Sequence, residues 1–348
     1  MVVKSWNELS VLIAGCGSIG KRHARVLNGL GITDIRACDP EAGQRESLLK
    51  EIAGVRMYGS YEEALAGLPD TVLIATPPKL HVPMAMQAVR AGCHVLCEKP
   101  LSDSLKGIDE LEHFADRNHK KVMVALCFRY HEAHCRAKRL LDEGRAGRLV
   151  SFRALMGEHL PDVRPDYRTL FTSKYSGAFD LMHEVDLAFW YAGRPMRSIA
   201  CFSGTYSDIG IEAPDLVEML IDFEDRVAAA IHLDLFQRPR RRVTELICTG
   251  GVITVEFARW DRSVLSVYDA AGGEWEQSEL ATDRDDMFRA EDREFLEAVA
   301  QNAPIHCTIT EARKSLEAVV AAQEGHKPGM VSRTIPANPA ALPSRLAE

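Results

Sequence analysis

No apolar run in this chain approaches the ~20 residues that a membrane-crossing helix needs, so a membrane span is not expected. Basic residues are not in excess either. Against 50 Asp and Glu stand 42 Lys and Arg, a net charge of −8, which argues against a nucleic-acid partner and against an anionic membrane surface. The N-terminal eight residues hold no apolar core, so no signal peptide is expected. There is no internal repeat and no low-complexity tract. The cysteines do not form a paired framework: they are nine in number, hence odd, and scattered. Cys38, Cys93, Cys97 and Cys127 lie inside apolar runs. Free buried thiols of a cytoplasmic protein fit that pattern better than disulfides do.

What the chain does contain starts with length. At 348 residues it exceeds one compact core and fits two domains. Its most informative stretch is Gly15-Cys16-Gly17-Ser18-Ile19-Gly20. The apolar run Val11-Leu12-Ile13-Ala14 precedes it, and Ile19, Val26, Leu27 and Leu30 follow at helical spacing, so the order reads strand, glycine turn, helix. In a dinucleotide site Gly15 permits the tight turn, Gly17 lets the backbone approach a pyrophosphate, and Gly20 lets helix and strand pack closely. The helix opening at Ser18 and Ile19 presents its free N–H groups and positive dipole end to the phosphates. Asp39 closes the next apolar segment about twenty residues on, where an acid accepts hydrogen bonds from the adenosine ribose. Its charge, with that of Glu41, selects NAD over NADP, and Arg45 lies a full turn further along.

Strand and helix keep alternating up to Phe128. Helices are expected at 41–53, 104–118 and, after Pro83, at 84–91. Ser60 and Glu63 read as a capping box. Thr71-Val72-Leu73-Ile74-Ala75 and Cys93-His94-Val95-Leu96-Cys97 read as buried parallel strands. Such alternation implies a doubly wound parallel sheet, with ligands at the carboxyl ends of its strands. Thr76 and Lys99 both fall at such ends. Beyond 128 the rhythm changes. A helix over 133–143 and another over 178–191 accompany strands at 149–156, 199–204, 216–223, 227–235, 243–249, 252–257 and 264–268. Most of these follow one another without helices, which predicts an α+β unit with a mainly antiparallel sheet. Two further helices are expected at 285–301 and 311–323. The expected division is 1–128, 129–325 and a proline-bearing tail, 326–348.

Four segments carry a resemblance to a known family: GCGSIGKRHARVL, ATPPKLHVPMAMQAVRAGCHVLCEKPLS, FRYHEAHCRAKRLLDEGRAGRLVSF and SGAFDLMHEVDLAFWYAG. The chain resembles the glucose–fructose oxidoreductase/inositol dehydrogenase/rhizopine-catabolism (Gfo/Idh/MocA) family. That resemblance implies a Rossmann domain plus a domain with a large open-faced antiparallel sheet, NAD as cofactor, and hydride transfer at a secondary alcohol of a sugar, polyol or sugar derivative. It also implies a homodimer or homotetramer built through the open sheet. The competing reading is a non-catalytic dinucleotide-binding sensor on the same fold.

Site roles follow from the resemblance where residues match. Lys99, in Glu98-Lys99-Pro100, corresponds to the lysine that contacts the substrate hydroxyl and the nicotinamide ribose, where an ammonium stabilises a developing alkoxide. Pro100 resembles a family proline that often follows a cis peptide bond, which would aim Lys99 inward. Thr76, Pro77 and His81 match the loop beside the cofactor ribose and pyrophosphate; His81 reads equally as a helix-entry residue. Glu98 joins the cofactor-binding set through its tripeptide. His23 reads as packing. Many family members carry Asp-x-x-x-His, whereas this chain has Asp180-Leu181-Met182-His183, the shorter form of a branch found with surface-polysaccharide and modified-sugar metabolism. On one helix that spacing still puts both side chains on one face. His183 is then the general base and Asp180 its orienting carboxylate; the alternative is a cap and a core histidine.

Three other clusters are weaker signals. His131-Glu132-Ala133-His134-Cys135 lacks a third distant ligand for a metal, so none is assigned. Cys93 and Cys97 point to one buried strand face, compatible with a thiol pair but not a redox motif. Arg238-Pro239-Arg240-Arg241-Arg242 reads first as a solvated turn or an intersubunit salt-bridge strip. Its sharper alternative is a phosphate site for a nucleotide-linked substrate.

Overall fold

The computed structural model describes residues 5–170 and 176–325. The sequence-based tail at 326–348 lies outside them. The chain divides into two compact units, one comprising the residues up to His131 with Asp283–Glu317, the other Glu132–Thr282 with the residues from Ala318 on.

The first unit alternates strand and helix: β1 (Val11–Ala14), α1 (Ser18–Gly29), β2 (Ile35–Cys38), α2 (Ala42–Glu51), β3 (Arg56–Tyr58) and α3 (Tyr61–Leu65). It continues through β4 (Thr71–Ile74), α4 (His81–Arg90), β5 (His94–Glu98), α5 (Ile108–Arg117) and β6 (Val122–Ala125). The six strands form a parallel sheet in the order β3-β2-β1-β4-β5-β6. Every residue of β1, β2, β4 and β6 is buried, because helices cover both faces and leave no strand side for water. Two boundaries depart from the sequence reading. Helix α4 opens at His81, with Pro83 in its first turn, where a missing N–H breaks no helical bond. Helix α5 opens four residues later than expected, behind Gly107 at φ +80°. Only half of the capping box forms: Ser60 Oγ accepts from the Glu63 N–H at 3.2 Å.

The second unit opens with α6 (Glu132–Asp142) and β7 (Leu149–His159), then the single turns α7 (Leu160–Val163) and α8 (Tyr167–Leu170), and α9 (His183–Ala192). Seven strands follow: β8 (Met196–Gly204), β9 (Leu216–Phe223), β10 (Val227–Asp234), β11 (Phe236–Cys248), β12 (Gly251–Glu256), β13 (Arg262–Asp269) and β14 (Glu274–Ala281). With β7 they make an eight-stranded sheet in the order β14-β13-β12-β11-β7-β10-β9-β8. All pairings are antiparallel except β7 with β10. Strand β14 was not expected from the sequence, since only Leu280 in it is buried and no alternation marks it. Strand β11 starts seven residues early, so the arginine cluster is extended strand and not a solvated turn. The helix expected over 178–191 is also two elements: a 3₁₀ turn, Gly177–Leu181, and then α9.

Residues Asp283–Glu317 return to the first unit, whereas the sequence pattern assigns them to the second. Helix α10 (Arg284–Gln301) starts from a capping box of Asp283 and Asp286 and packs on α1, β5 and the turn Cys127–Tyr130. Arg22 of α1 pairs with Asp285 at 2.7 Å. Helix α11 (Ile309–Gly325) ties back through the pairs Arg129–Glu311 and Arg313–Asp109.

Candidate functional site

The order of the parallel sheet reverses between β1 and β4, which is where doubly wound folds open a ligand crevice. The loops leaving these two strands meet there. The Gly15 N–H donates to Cys38 O at 2.9 Å, and the Ala75 N–H to Ala14 O at 2.8 Å. Gly15 has φ +98°, and a Cβ on it would lie 2.5 Å from Ala75 O; one on Gly20 would lie 1.9 Å from Gly15 O. Neither position admits a side chain. Gly17, the N-cap of α1, would meet nothing within 4 Å. Protein packing therefore demands two of the glycines, and the third keeps a space clear before the α1 N-terminus. Ser18 is exposed and Ile19 half-buried at that end, where a helix offers N–H groups that it does not itself pair. That open space before a helix N-terminus has room for a pyrophosphate, and the residues fit a dinucleotide.

Asp39 stands half-buried at the end of β2. Its Oδ2 accepts the Cys16 N–H at 2.8 Å and its Oδ1 the Glu41 N–H at 2.9 Å, so the carboxylate is fixed against the glycine turn. Arg45 is nearer than its sequence position suggests. Its guanidinium reaches back to Asp39 O at 2.5 Å and Pro40 O at 3.0 Å. Burial pushes the Cys16 thiol up to about 12, and the Asp39 charge adds to this, so it stays protonated within the turn.

After β4, Thr76 and Pro77 lead into α4, and Thr76 Oγ1 lies 3.5 Å from Met84 Sδ. His81 is enclosed, 1% exposed. It sits behind the loop rather than offering its ring to a ligand. Nε2 lies 2.7 Å from Thr76 O and Nδ1 2.8 Å from Pro100 O. Burial pulls its pKa down while the two carbonyls work against that. One ring thus joins the loop after β4 to the loop after β5.

Lys99 follows β5, half-buried, and its peptide bond to Pro100 is cis. Its N–H donates to Glu98 Oε2 at 3.0 Å. Glu98 Oε1 lies 3.0 Å from His23 Nε2, and His23 Nδ1 lies 2.9 Å from Asp292 Oδ1 on α10. Burial of the His23 ring opposes its charge. The Asp292 and Glu98 carboxylates prevail and hold its pKa well above the ordinary value. Both oxygens of Glu98 are committed to this network, and Glu98 is 9% exposed. Beside it Glu291 is completely enclosed, and burial, reinforced by Glu98, raises its carboxyl well above the usual range. His23 is therefore more than packing. Its partner lies 269 positions away, and no local pattern marks that distance.

Asp180 and His183 belong to the second unit. Asp180 is exposed on the 3₁₀ turn, and His183 is half-buried at the first position of α9. They do not share one α-helical face: the turn and α9 meet at Met182. Gly177 starts that turn at φ +72°, where a Cβ would lie 2.3 Å from Pro214 O. Tyr167, at the start of α8, is buried, and its hydroxyl donates to Ile209 O at 2.6 Å. The next residue in α9, Glu184, pairs with the buried Arg242 at 2.8 Å. Arg240 pairs with Glu158 at 3.1 Å and lies over the Trp260 ring at 4.7 Å; Arg238 pairs with Asp162 at 2.7 Å. Three of the four arginines of the cluster are thus matched one by one with carboxylates. Sequence alone could not place these partners, since β-pairing brings them in from β7, α7 and α9.

His134 Nδ1 lies 2.9 Å from the Tyr191 hydroxyl. Among the described residues no group of three or more His, Cys, Asp or Glu side chains could hold a metal ion, and no helix is long and apolar enough to cross a membrane. All nine cysteines are free, Cys93 and Cys97 included.

Comparison with known proteins agrees with this geometry. Residues 9–126 match the family model described as "Oxidoreductase family, NAD-binding Rossmann fold", and residues 134–254 match the GFO/IDH/MocA C-terminal domain. An inositol 2-dehydrogenase of Corynebacterium glutamicum is 29% identical over 258 residues, covering 71% of this chain and 74% of its own. GenD2 of gentamicin A biosynthesis, solved with NAD, superposes with a TM-score of 0.78 at 25% identity, over 95% of this chain and 97% of its own. Scyllo-inositol dehydrogenase from Lactobacillus casei, solved with NAD(H) and scyllo-inositol, shares the fold with a TM-score of 0.79 at 18% identity, over 93% of this chain and 98% of its own.

Proposed function

Because the chain belongs to the Gfo/Idh/MocA family of NAD-dependent oxidoreductases, we propose that it oxidises a ring hydroxyl of an uncharged cyclic polyol of the inositol type. The observation that carries this reading is the convergence of three loops at the carboxyl ends of β1, β4 and β5, with the Lys99 backbone fixed among them. NAD, when bound, accepts the hydrogen from the carbinol carbon as hydride. Gly15, Gly17, Ser18, Ile19 and Gly20 hold its pyrophosphate, Asp39 its adenosine ribose, and Thr76 and Pro77 border its nicotinamide half. The Lys99 ammonium stabilises negative charge growing on the substrate oxygen. His183 takes the hydroxyl proton, and Asp180 orients its ring. The matched arginines support an uncharged substrate: Arg238, Arg240 and Arg242 each already face a carboxylate, so the cluster holds little surplus charge for a phosphate. A homo-oligomer formed through the open sheet fits Phe202 and Leu220, large apolar side chains left exposed on β8 and β9. Nine free thiols suit the reducing cytoplasm.

The test is reduction of NAD and of NADP in the presence of myo- and scyllo-inositol, free sugars, sugar phosphates and nucleotide-linked sugars. Turnover with NAD and an inositol is expected. Turnover confined to phosphorylated or nucleotide-linked sugars would overturn the substrate assignment. Preference for NADP would overturn the role given to Asp39.

A further inference from the structure

We propose that His23 is a positioning residue for Lys99, acting through the Glu98 carboxylate, and that His81 holds the opposite flank at Pro100. The inference rests on the role given to Lys99 above. Four groups form an unbroken line: Asp292 on α10, His23 on α1, the Glu98 side chain at the end of β5, and the backbone N–H of Lys99. The contacts are 2.9, 3.0 and 3.0 Å. On the other side of the lysine, the His81 ring bridges the two flanking loops, with Nδ1 2.8 Å from Pro100 O and Nε2 2.7 Å from Thr76 O. The tripeptide is thus pinned from both ends by enclosed rings, His23 being 0% and His81 1% exposed.

A lysine side chain is a flexible stem with a point charge at its tip, so what the protein can fix most firmly is where the stem begins. A bare strand end would leave that origin free to shift. Packing alone does not explain His23. An apolar side chain would fill the same space without placing an imidazolium and two carboxylates in the core, and buried ionic groups are seldom better for stability than apolar ones of equal volume. What a hydrogen-bonded line offers that an apolar filler does not is direction. Glu98 uses one oxygen for His23 and the other for the Lys99 amide, so a displaced imidazole would be felt at the lysine backbone. The T-shaped contact of His23 with Phe288, 5.3 Å between ring centroids, fixes the ring plane as well.

Glu98→Gln is the decisive variant, because it keeps the shape and still offers an oxygen to the Lys99 amide, while it removes the charge that aligns His23. His23→Gln is the companion, and its melting temperature with and without NAD is measured first. With a polyol that the wild type turns over, kcat of Glu98→Gln is expected to fall by about 10²-fold, the effect of a misplacement near 1 Å. The Kd for NAD stays within about threefold, since the glycine cradle is untouched. In single turnovers, adding Glu98→Gln to Lys99→Ala should cost nothing further, as the side chain being positioned is already gone. A role confined to packing predicts equal losses in both backgrounds, together with a parallel loss of NAD affinity. That result, or wild-type kcat in a folded Glu98→Gln protein, overturns the proposal. Wild-type kcat in Lys99→Ala would instead overturn the lysine's role, and the brace with it, so the two failures are told apart.

Discussion

A glycine turn is usually read as one motif, but at the scale of single residues its three glycines answer to different demands. Gly20 is held to glycine by the carbonyl of Gly15, 1.9 Å from where its Cβ would be, whereas a Cβ on Gly17 would enter open space. Gly20→Ala should therefore damage the fold itself, with a clear fall in melting temperature. Gly17→Ala should leave the apo melting temperature unchanged and weaken NAD binding by an order of magnitude or more, since a methyl group would stand where the pyrophosphate must approach. Thermal unfolding with and without NAD separates the two outcomes. Equal loss of apo stability in both variants would show that the cradle is not shaped for a ligand. A second residue-scale prediction concerns His232 on β10, 3.0 Å from Asp234 and 2.6 Å from Glu218. The bond to Asp234 first, then Glu218, against some burial, raises its pKa to about 9. The folded value exceeds the unfolded value of ~6.5. The stability this site contributes is therefore complete below pH ~6.5 and is lost as the pH rises through about 9. In His232→Gln the decline in melting temperature across that window should flatten; an unaltered decline would assign it to other groups.

At the scale of elements, the sequence is legible where a repeating pattern is enforced by burial. Strands β1, β4 and β5 show as apolar runs because both their faces are covered, and their carboxyl ends locate Thr76 and Lys99 without any structure. Legibility fails where an element is fixed by something distant. Strand β14 has one buried residue and is held by pairing with β13. The stretch from Phe236 to Arg242 looks like a charged turn until β7 pairs with it. Asp180 and His183 are spaced for one helix face, yet the left-handed Gly177 and the Pro214 carbonyl beside it turn the first part into a 3₁₀ element. Glu184 and Arg242 give the sharpest test of this level. Their side chains are 1% and 4% exposed, so they form a buried ion pair between α9 and β11. Arg242→Met leaves the Glu184 carboxylate without its guanidinium and should destabilise the protein by about 3–5 kcal/mol. Replacing both, Arg242→Met with Glu184→Leu, should recover much of that loss. A double-mutant cycle by urea denaturation measures the coupling, and strict additivity would show that the pair does not act as a unit.

For the molecule as a whole, the least foreseeable feature is that the nucleotide-binding unit is not continuous in the chain. The sequence rhythm breaks near Phe128, and the natural inference is that the first domain ends there. Yet α10, more than 150 residues later, supplies Asp292 to His23, Asp285 to Arg22, and the buried side chains Met287, Phe288, Phe295 and Leu296. Burying each of these four is worth about 1.5–3 kcal/mol, together roughly 6–12 kcal/mol. That is comparable to the ~5–15 kcal/mol by which an entire domain is stable. Without α10 the His23 ring also loses the Asp292 carboxylate at its Nδ1 and the Phe288 ring packed against it. Residues 1–131 expressed alone should therefore fail to fold cooperatively and should not bind NAD. The same segment joined by a flexible linker to 283–325 should show a single thermal transition that NAD shifts upward. Circular dichroism melts of the two fragments, each with and without NAD, make the comparison. A cooperative, NAD-stabilised transition in 1–131 alone would show that α10 only decorates a unit able to stand without it.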